Sequence, residues 1–362
     1  MKILLISYGD IGFDGRLRSL IHVFSQIGDV ASFTRGEMPG NGLSKVSNSS
    51  YLLFIREAIR FAKEIGEFEW LVLDNRKATI PGMIIQRKYN PDITIQDSRE
   101  LYLFRELHHL TGKIGCVFEK IMARQADIVI CANKERAQIM QKEYSLRYEP
   151  LTYENLRQLQ YDSDEELKKA EEKIKPYIHE DEYRIISTSG CNINRTNDIL
   201  VRNLSKIKKK CRLFLVGDST EEEAAKIKSI IEEEHLNNVE IFGKLNQTEL
   251  KFLIKQCHIG IVNYGQYDTN NRLCASGKLY EFLYEGLPVV TTQNPPLTRL
   301  CHQYKIGYAD DGYSVGINKV LLQYNIYEEN VKKFILVHTT EANDSTLISN
   351  LIQRVSSIKH KE

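Results

Sequence analysis

The chain has 362 residues, beyond the length at which a single hydrophobic core usually stops growing, so two domains are the default reading. Apolar residues make up 42% and charged residues 27%, which argues against a disordered chain. A formal net charge of +1 gives no global attraction to nucleic acid or to an anionic membrane.

In chain order, β-branched and aliphatic runs at residues 2–7, 30–34, 70–74, 92–97 and 127–131 read as strands. Helical patterns lie between them, as at 16–26 and 51–65. In the second of these, apolar positions 52, 55, 59 and 62 recur at the spacing of one buried helix face. Strands apolar on both faces and separated by helices indicate a parallel sheet covered on both sides, so residues 1–160 read as a Rossmann-like, doubly wound α/β domain. The stretch YDSDEELKKAEEKIKPY that starts at Tyr161 is dense in charge and has only a thin apolar stripe, which predicts a solvated linking helix over 161–183. The alternation then restarts. Strands are expected at 184–188, 212–216, 239–242, 258–262 and 287–291, with helices at 198–207, 221–235, 247–256 and 278–285. Residues 184–340 thus form a second Rossmann-like domain, and a helix in the last segment, 341–362, crosses back onto the first. Two such domains would face each other across a cleft, with ligands at the carboxyl ends of the strands.

The seven cysteines are scattered, with no Cys-x-x-Cys pair, so neither a zinc site nor a disulfide framework is expected and a cytoplasmic setting fits. No window approaches the ~18 apolar residues of a spanning helix, so any membrane contact is peripheral.

The strand ends carry the candidate chemistry. The first strand runs into SYGDIGFDGRLRS, whose Gly9, Gly12 and Gly15 depart from the dinucleotide fingerprint, while Asp10 and Asp14 would repel a pyrophosphate. A dehydrogenase is therefore disfavoured. The fourth strand ends in QDSRELY, where Asp97, Arg99 and Glu100 cluster; Asp97 or Ser98 could equally cap a helix with Glu100 in its first turn. In STSGCNINRTNDIL, Gly190 follows the strand and Arg195 offers a planar fork suited to phosphate oxygens.

The most informative stretch is CASGKLYEFLYEGLPVV, from Cys274 to Val290. Ser276 and Gly277 allow a ligand to approach the backbone. The amides of Gly277, Lys278 and Leu279 are expected to be unpaired at a helix start, and Lys278 adds positive charge to this anion site. Glu281, one turn on, can accept hydrogen bonds from a ribose diol, while Leu279, Phe282 and Leu283 bury the opposite face. Phosphates at the helix tip and ribose on a carboxylate describe a nucleotide site.

These residues resemble the GT-B glycosyltransferases, and among them glycosyltransferase family 4 (glycosyl transferases group 1). SGKLYEFLYEGLPVV looks like the family's Lys-Leu-x-Glu-x-x-x-x-Gly-x-Pro-Val-Val donor helix, QDSRELY like its Asp-x-x-Glu-Leu-Tyr segment, and VEIFGKLNQTELKFLIKQCHIGIVNY like the stretch before the donor site. The resemblance implies a GT-B fold in which Lys278, its neighbouring amides and Arg195 hold the diphosphate and Glu281 the ribose. It also implies that the loop at Gly243 meets the base. Three positions depart from the pattern: Leu273 replaces the first glutamate of the Glu-x7-Glu pair, Arg99 stands where histidine is common, and Cys191 replaces a basic residue.

The implied activity is transfer of a sugar from a UDP- or GDP-sugar to a hydroxyl of a glycan or lipid-linked acceptor. The resemblance further implies retention of configuration, and a setting in bacterial surface polysaccharide synthesis, cytoplasmic or peripheral at the inner face of the membrane. Fixed positive charge from Arg195, Lys278 and the helix N-terminus would stabilise the leaving diphosphate, so no metal or other cofactor is expected. Acceptor-side candidates are Gly12, Asp14, Arg16, Asp97, Arg99 and Glu100. Asp162-Ser163-Asp164 matches the letters of a metal-binding Asp-x-Asp, but it follows no strand and reads as a helix cap. Rival readings are a nucleotide-sugar 2-epimerase of the same fold and a non-catalytic sugar-nucleotide-binding subunit.

Overall fold

The computed structural model describes residues 1–36, 44–47 and 50–360, so the last two positions of the expected terminal helix lie outside the described residues. The chain divides into two compact units, Met1–Asn155 with Thr340–Glu362, and Leu156–Thr339.

The first unit is built on strands β1 (Lys2–Asp10), β2 (Asp29–Arg35), β3 (Ser44–Val46), β4 (Trp70–Asp74), β5 (Ile93–Ser98), β6 (Ile128–Cys131) and β7 (Leu151–Thr152). They form a parallel sheet of order β3-β2-β1-β4-β5-β6-β7. Side chains alternate across it. Ile3 and Leu5 of β1, with Val72 of β4, pack under helix Gly15–Ser25 and under Leu347 and Leu351 of the terminal helix Thr340–Lys359. Leu4, Ile6, Leu71 and Leu73 pack on the other face against Phe54, Ala58 and Phe61 of helix Tyr51–Ile65. Burial on both faces is what makes these strands read as continuous apolar runs.

The second unit repeats the plan with β8 (Tyr183–Ser187), β9 (Cys211–Val216), β10 (Val239–Phe242), β11 (Ile259–Val262), β12 (Val289–Thr291) and β13 (Gly307–Ala309), in the order β10-β9-β8-β11-β12-β13. Its faces are again distinct: Ile186, Phe214 and Val262 lie on one side, and Ile185, Leu213 and Ile261 on the other. In each sheet the strand order reverses beside its first strand, between β1 and β4 and between β8 and β11. A reversal opens a crevice at the carboxyl ends of those strands, where open α/β sheets bind ligands.

Three expectations are corrected. Of the expected face of helix Tyr51–Ile65, Ala62 is buried and Ile59 packs against the core, but Leu52 is 75% exposed and the rest of the buried face is Phe54, Ala58 and Phe61. The two phenylalanines win because both rings pack against Phe33 of β2. The linking helix is Asp164–Ile174, and it lies within the second unit rather than between units. Its Ile174 joins the core containing Leu253 and Ile254, and the neighbouring Ala170 is equally buried, so the thin stripe is a packing surface. Residues 97 and 98 do not cap a helix; both belong to β5, and no helical turn begins before Phe104. The edge strands β3, β7 and β13 are only two or three residues long and leave no alternation to read. All seven cysteines are unpaired and buried.

Truncating Phe54 to Ala should destabilise the first unit by about 3–5 kcal/mol through the cavity it leaves, while Leu52→Ala should change stability by less than about 0.5 kcal/mol. Urea-denaturation midpoints of the two variants would show this, and equal losses would contradict the assigned face.

Candidate functional site

At the reversal in the second sheet, the loop after β8 is tied to the end of β11 by a buried polar network. Ser187 Oγ donates to Asn197 Oδ1 at 3.0 Å, and Ser189 Oγ donates to Asn263 Oδ1 at 2.9 Å. Asn263 Nδ2 donates to Asn197 Oδ1 at 2.7 Å, and Asn197 Nδ2 donates to the Gly190 carbonyl at 2.8 Å. Gly190 has φ +59°, and a Cβ there would lie 2.6 Å from the Asp218 carbonyl, so the loop can turn this tightly only at glycine. The Gly190 amide bonds the end of β9, and the Gly217 amide bonds the Gly243 carbonyl, linking the carboxyl ends of β8, β9 and β10. Gly243 itself is exposed, with open space where a side chain would stand.

This frame positions two cations. Lys278 Nζ donates to the Thr188 carbonyl at 2.5 Å, and the Arg195 guanidinium lies 3.9 Å from the centroid of the Tyr264 ring. Among the described residues neither cation has a carboxylate within ion-pair distance. Arg195 Nη1 and Thr188 Oγ1 are buried without a hydrogen-bond partner. Burial, then the Arg195 charge, lower the Lys278 pKa to about 8, with Glu281 acting in the opposite sense. Unused donors beside repelling positive charges describe a place for an anion.

Ser276 caps helix Gly277–Tyr284 and accepts the Leu279 amide at 3.4 Å, so of the three amides expected to be unpaired only those of Gly277 and Lys278 remain at the tip. Gly286, at φ +84°, stops the chain just beyond this helix. Glu281 is 3% exposed, and its carboxylate is 2.8 Å from Arg157 Nε. Burial raises its pKa, while Arg157 and Lys278 lower it. Glu285 instead pairs with Lys251 at 3.1 Å and holds the helix to its neighbour. Leu273, at the position of the pattern's first glutamate, is buried. Arg157, Thr188, Asn263 and Tyr264 were not singled out from the sequence. Only the position of Asn263 and Tyr264 at a strand end could have marked them.

The reversal in the first sheet is filled differently. Asp74, ending β4 and fully buried, accepts from Ser7 Oγ at 2.5 Å and from Arg99 Nη2 at 2.5 and 2.8 Å. Arg99 Nη1 reaches Asp14 at 2.5 Å, and Asp14 also caps helix Gly15–Ser25. Arg16 and Asp97 form a buried bidentate pair at 2.6 and 2.9 Å, and Arg16 donates to the Tyr153 carbonyl at 2.7 Å. Asp14, Arg16, Asp97 and Arg99 therefore form one cluster, whereas Glu100 and Gly12 are exposed beside it. Burial raises the Asp74 pKa to about 6 against the pull of Arg99. In Arg99 the carboxylates of Asp74 and Asp14 outweigh burial and raise the guanidinium pKa.

Ser163 caps helix Asp164–Ile174, and Asp162 bonds Thr248 through both its amide and its carboxylate, so this triplet is structural. Among the described residues no helix is long and apolar enough to cross a membrane.

Residues 168–319 match the family described as Glycosyl transferases group 1, a span that contains every second-unit candidate. A search of curated proteins returned no match. Over its whole length the chain is similar in fold to solved glycosyltransferase structures. Sucrose-phosphate synthase from Thermosynechococcus elongatus has a TM-score of 0.67 at 15% identity, with 99% of this chain and 100% of that one covered. HepE of Anabaena, in complex with UDP and glucose, has a TM-score of 0.66 at 15% identity over 100% and 99%. WaaG, a glycosyltransferase involved in lipopolysaccharide biosynthesis, has a TM-score of 0.66 at 14% identity over 96% and 98%. The fold class is GT-B, and the resemblance to glycosyl transferases group 1 holds.

The Asp74 carboxyl binds its proton more tightly in the folded protein (about 6) than at its ordinary value of 3.8. Its contribution to stability is therefore full below pH 3.8 and lost as pH rises through about 6. Arg99→Met should add a loss of about 3–5 kcal/mol at neutral pH by leaving this carboxylate buried and unpaired. Urea midpoints between pH 4 and 8 should fall with rising pH more steeply in Arg99→Met, and Asp74→Asn should flatten the slope; a slope unchanged in both would refute the assignment.

Proposed function

We propose that this protein transfers a hexosyl group from a UDP- or GDP-sugar to a hydroxyl of a glycan or lipid-linked acceptor, with retention of configuration and no required metal. Its setting would be surface polysaccharide or glycoconjugate synthesis at the inner face of a bacterial cytoplasmic membrane. The observation that carries this reading is the pair Lys278 and Arg195, close enough for one charge to act on the other, with a buried unused donor on Arg195 and, among the described residues, no carboxylate within ion-pair distance. A diphosphate would satisfy both, together with the two free amides of helix Gly277–Tyr284. Glu281 lies one turn on, where a ribose diol could replace Arg157 as its partner. As the sugar–phosphate bond breaks, negative charge collects on the leaving oxygen, and these fixed cations would stabilise it without reorganising. Acceptor binding falls to the first unit, where Glu100 is exposed and lines the cavity beside the ion-pair cluster.

UDP-glucose or GDP-mannose should raise the melting temperature of the wild type, and Lys278→Ala and Glu281→Ala should each weaken that rise. Equal stabilisation of all three proteins would reject the donor site. Conversion of the donor alone to its 2-epimer, followed by mass spectrometry and chromatography, would replace transfer by epimerisation.

A bound diphosphate stabilises the charged form of Lys278, whose pKa in the free protein is about 8. Binding should therefore be tightest below pH 8 and require proton uptake above it, so that the UDP dissociation constant rises towards about ten-fold per pH unit. Calorimetry between pH 7 and 9 in two buffers of different ionisation enthalpy would measure the uptake. Lys278→Met should abolish it, and a pH-independent affinity in the wild type would contradict this role.

A further inference from the structure

The first unit holds a cavity of about 680 Å³ beside the buried ion-pair cluster, with Tyr8, Arg35, Lys77, Glu100 and Ile114 in its wall. The Arg35 guanidinium lies 4.6 Å and the Lys77 ammonium 4.5 Å from the centroid of the Tyr8 ring. Arg35 Nε is buried with no hydrogen-bond partner. Arg76, also in the wall, is neutralised by Glu119 at 2.8 Å. Arg35 and Lys77 form no ion pair with a described carboxylate, and Glu100 is the only acid among the lining residues. The cavity thus has an excess of positive charge, set against an aromatic ring.

Ile114 belongs to helix Leu110–Gln125, and the helix carries a second feature. Its Cys116, Glu119, Met122 and Ala123 face the protein. On the opposite side Leu110, Ile114, Val117 and Ile121 are 72%, 45%, 43% and 36% exposed. At 3.6 residues per turn these four fall within an arc of about 60° and run for about 16 Å. An exposed apolar stripe of this kind marks a binding surface more often than scattered single residues do. Ile114 is shared by the stripe and the cavity, so the apolar surface begins where the cationic cavity ends.

We propose that the first unit binds a single amphiphile with a phosphate head, the head lying between Arg35 and Lys77 and the chain along the Leu110–Ile121 stripe. A phosphate dianion matches two cations that meet no described carboxylate, and Arg35 can give it paired hydrogen bonds. The chain would cover apolar groups that now face water. A free phosphate would use only half of this surface, and a neutral lipid only the other half. Naming the amphiphile as the sugar acceptor rests on the transfer reading above; the binding site does not.

Calorimetry with monododecyl phosphate below its micellar concentration tests the site. It should bind one per chain, with inorganic phosphate and the neutral dodecyl maltoside each at least about ten-fold weaker. Arg35→Gln with Lys77→Gln, and separately Ile114→Ser with Val117→Ser, should each weaken dodecyl phosphate at least about five-fold. Equal affinity for dodecyl maltoside, or no loss in either double variant, would overturn the proposal. Co-sedimentation with phosphatidic acid vesicles and no binding of monomeric dodecyl phosphate would also overturn it, in favour of a membrane surface. UDP-glucose thermal shifts on the same variants should stay at the wild-type value, because the donor candidates lie in the other unit, and this shows that the variants fold. No response of the wild type to either UDP-glucose or GDP-mannose, with dodecyl phosphate still bound, would reject the transfer reading and support this site.

Discussion

The ammonium of Lys278 is the group around which the second unit is organised. Desolvating a cation costs free energy unless a carboxylate or several acceptors compensate, and here one backbone carbonyl is the recorded partner while a second cation stands nearby. Such an arrangement persists only if the surrounding structure imposes it. The Ser187–Ser189–Asn197–Asn263 network does so by joining the loop after β8 to the end of β11, with Gly190 making the turn. The site is thus a consequence of strand order: without the reversal at β8 there would be no crevice for two like charges to share.

The first unit has the same reversal and resolves it in the opposite way. Asp74, Asp97, Arg16 and Arg99 neutralise one another with most of their hydrogen bonds made, and the Arg99 side chain spans two carboxylates. An anion has nothing to gain there, since every positive charge is already met. Arg99 also explains what the substitution at this point of the family pattern does. Where the pattern has a histidine, this chain has a residue committed to Asp74 and Asp14, so ligand contacts in the first unit must come from the neighbouring cavity.

Much of this was legible because burial on both strand faces leaves a strong imprint. Ten of the thirteen strands among the described residues announced themselves as apolar runs, and helix Tyr51–Ile65 matched at both ends. Its buried face matched only at Ile59 and Ala62, because periodicity treats Leu52 and Phe54 alike while packing rewards the larger ring that can reach Phe33. In the candidate site, Lys278 and Glu281 were visible from their chemistry at a helix start, and Gly190 and Arg195 from theirs after a strand. Thr188, Asn263 and Arg157 were not, since their roles come from pairings across 66 to 124 positions of sequence. Asp74 looked like the last residue of an apolar strand, and only Arg99, 25 residues on, makes it part of a cluster.

The pairing of Glu281 with Arg157 bears on how such a site could open to a ligand. Glu281 is fixed in the helix and almost fully buried, but the Arg157 side chain is 63% exposed. An ion pair with one solvated partner contributes about 1 kcal/mol or less, because water regains the guanidinium when it leaves. Leaving the buried carboxylate without any donor would cost more, about 3–5 kcal/mol. Arg157 can therefore be exchanged for the hydroxyls of a bound diol at little net cost, but it cannot simply be lost. The same exchange would remove a positive charge from beside Lys278 as the diphosphate arrives, so the two halves of the proposed donor would be coupled through one exposed guanidinium.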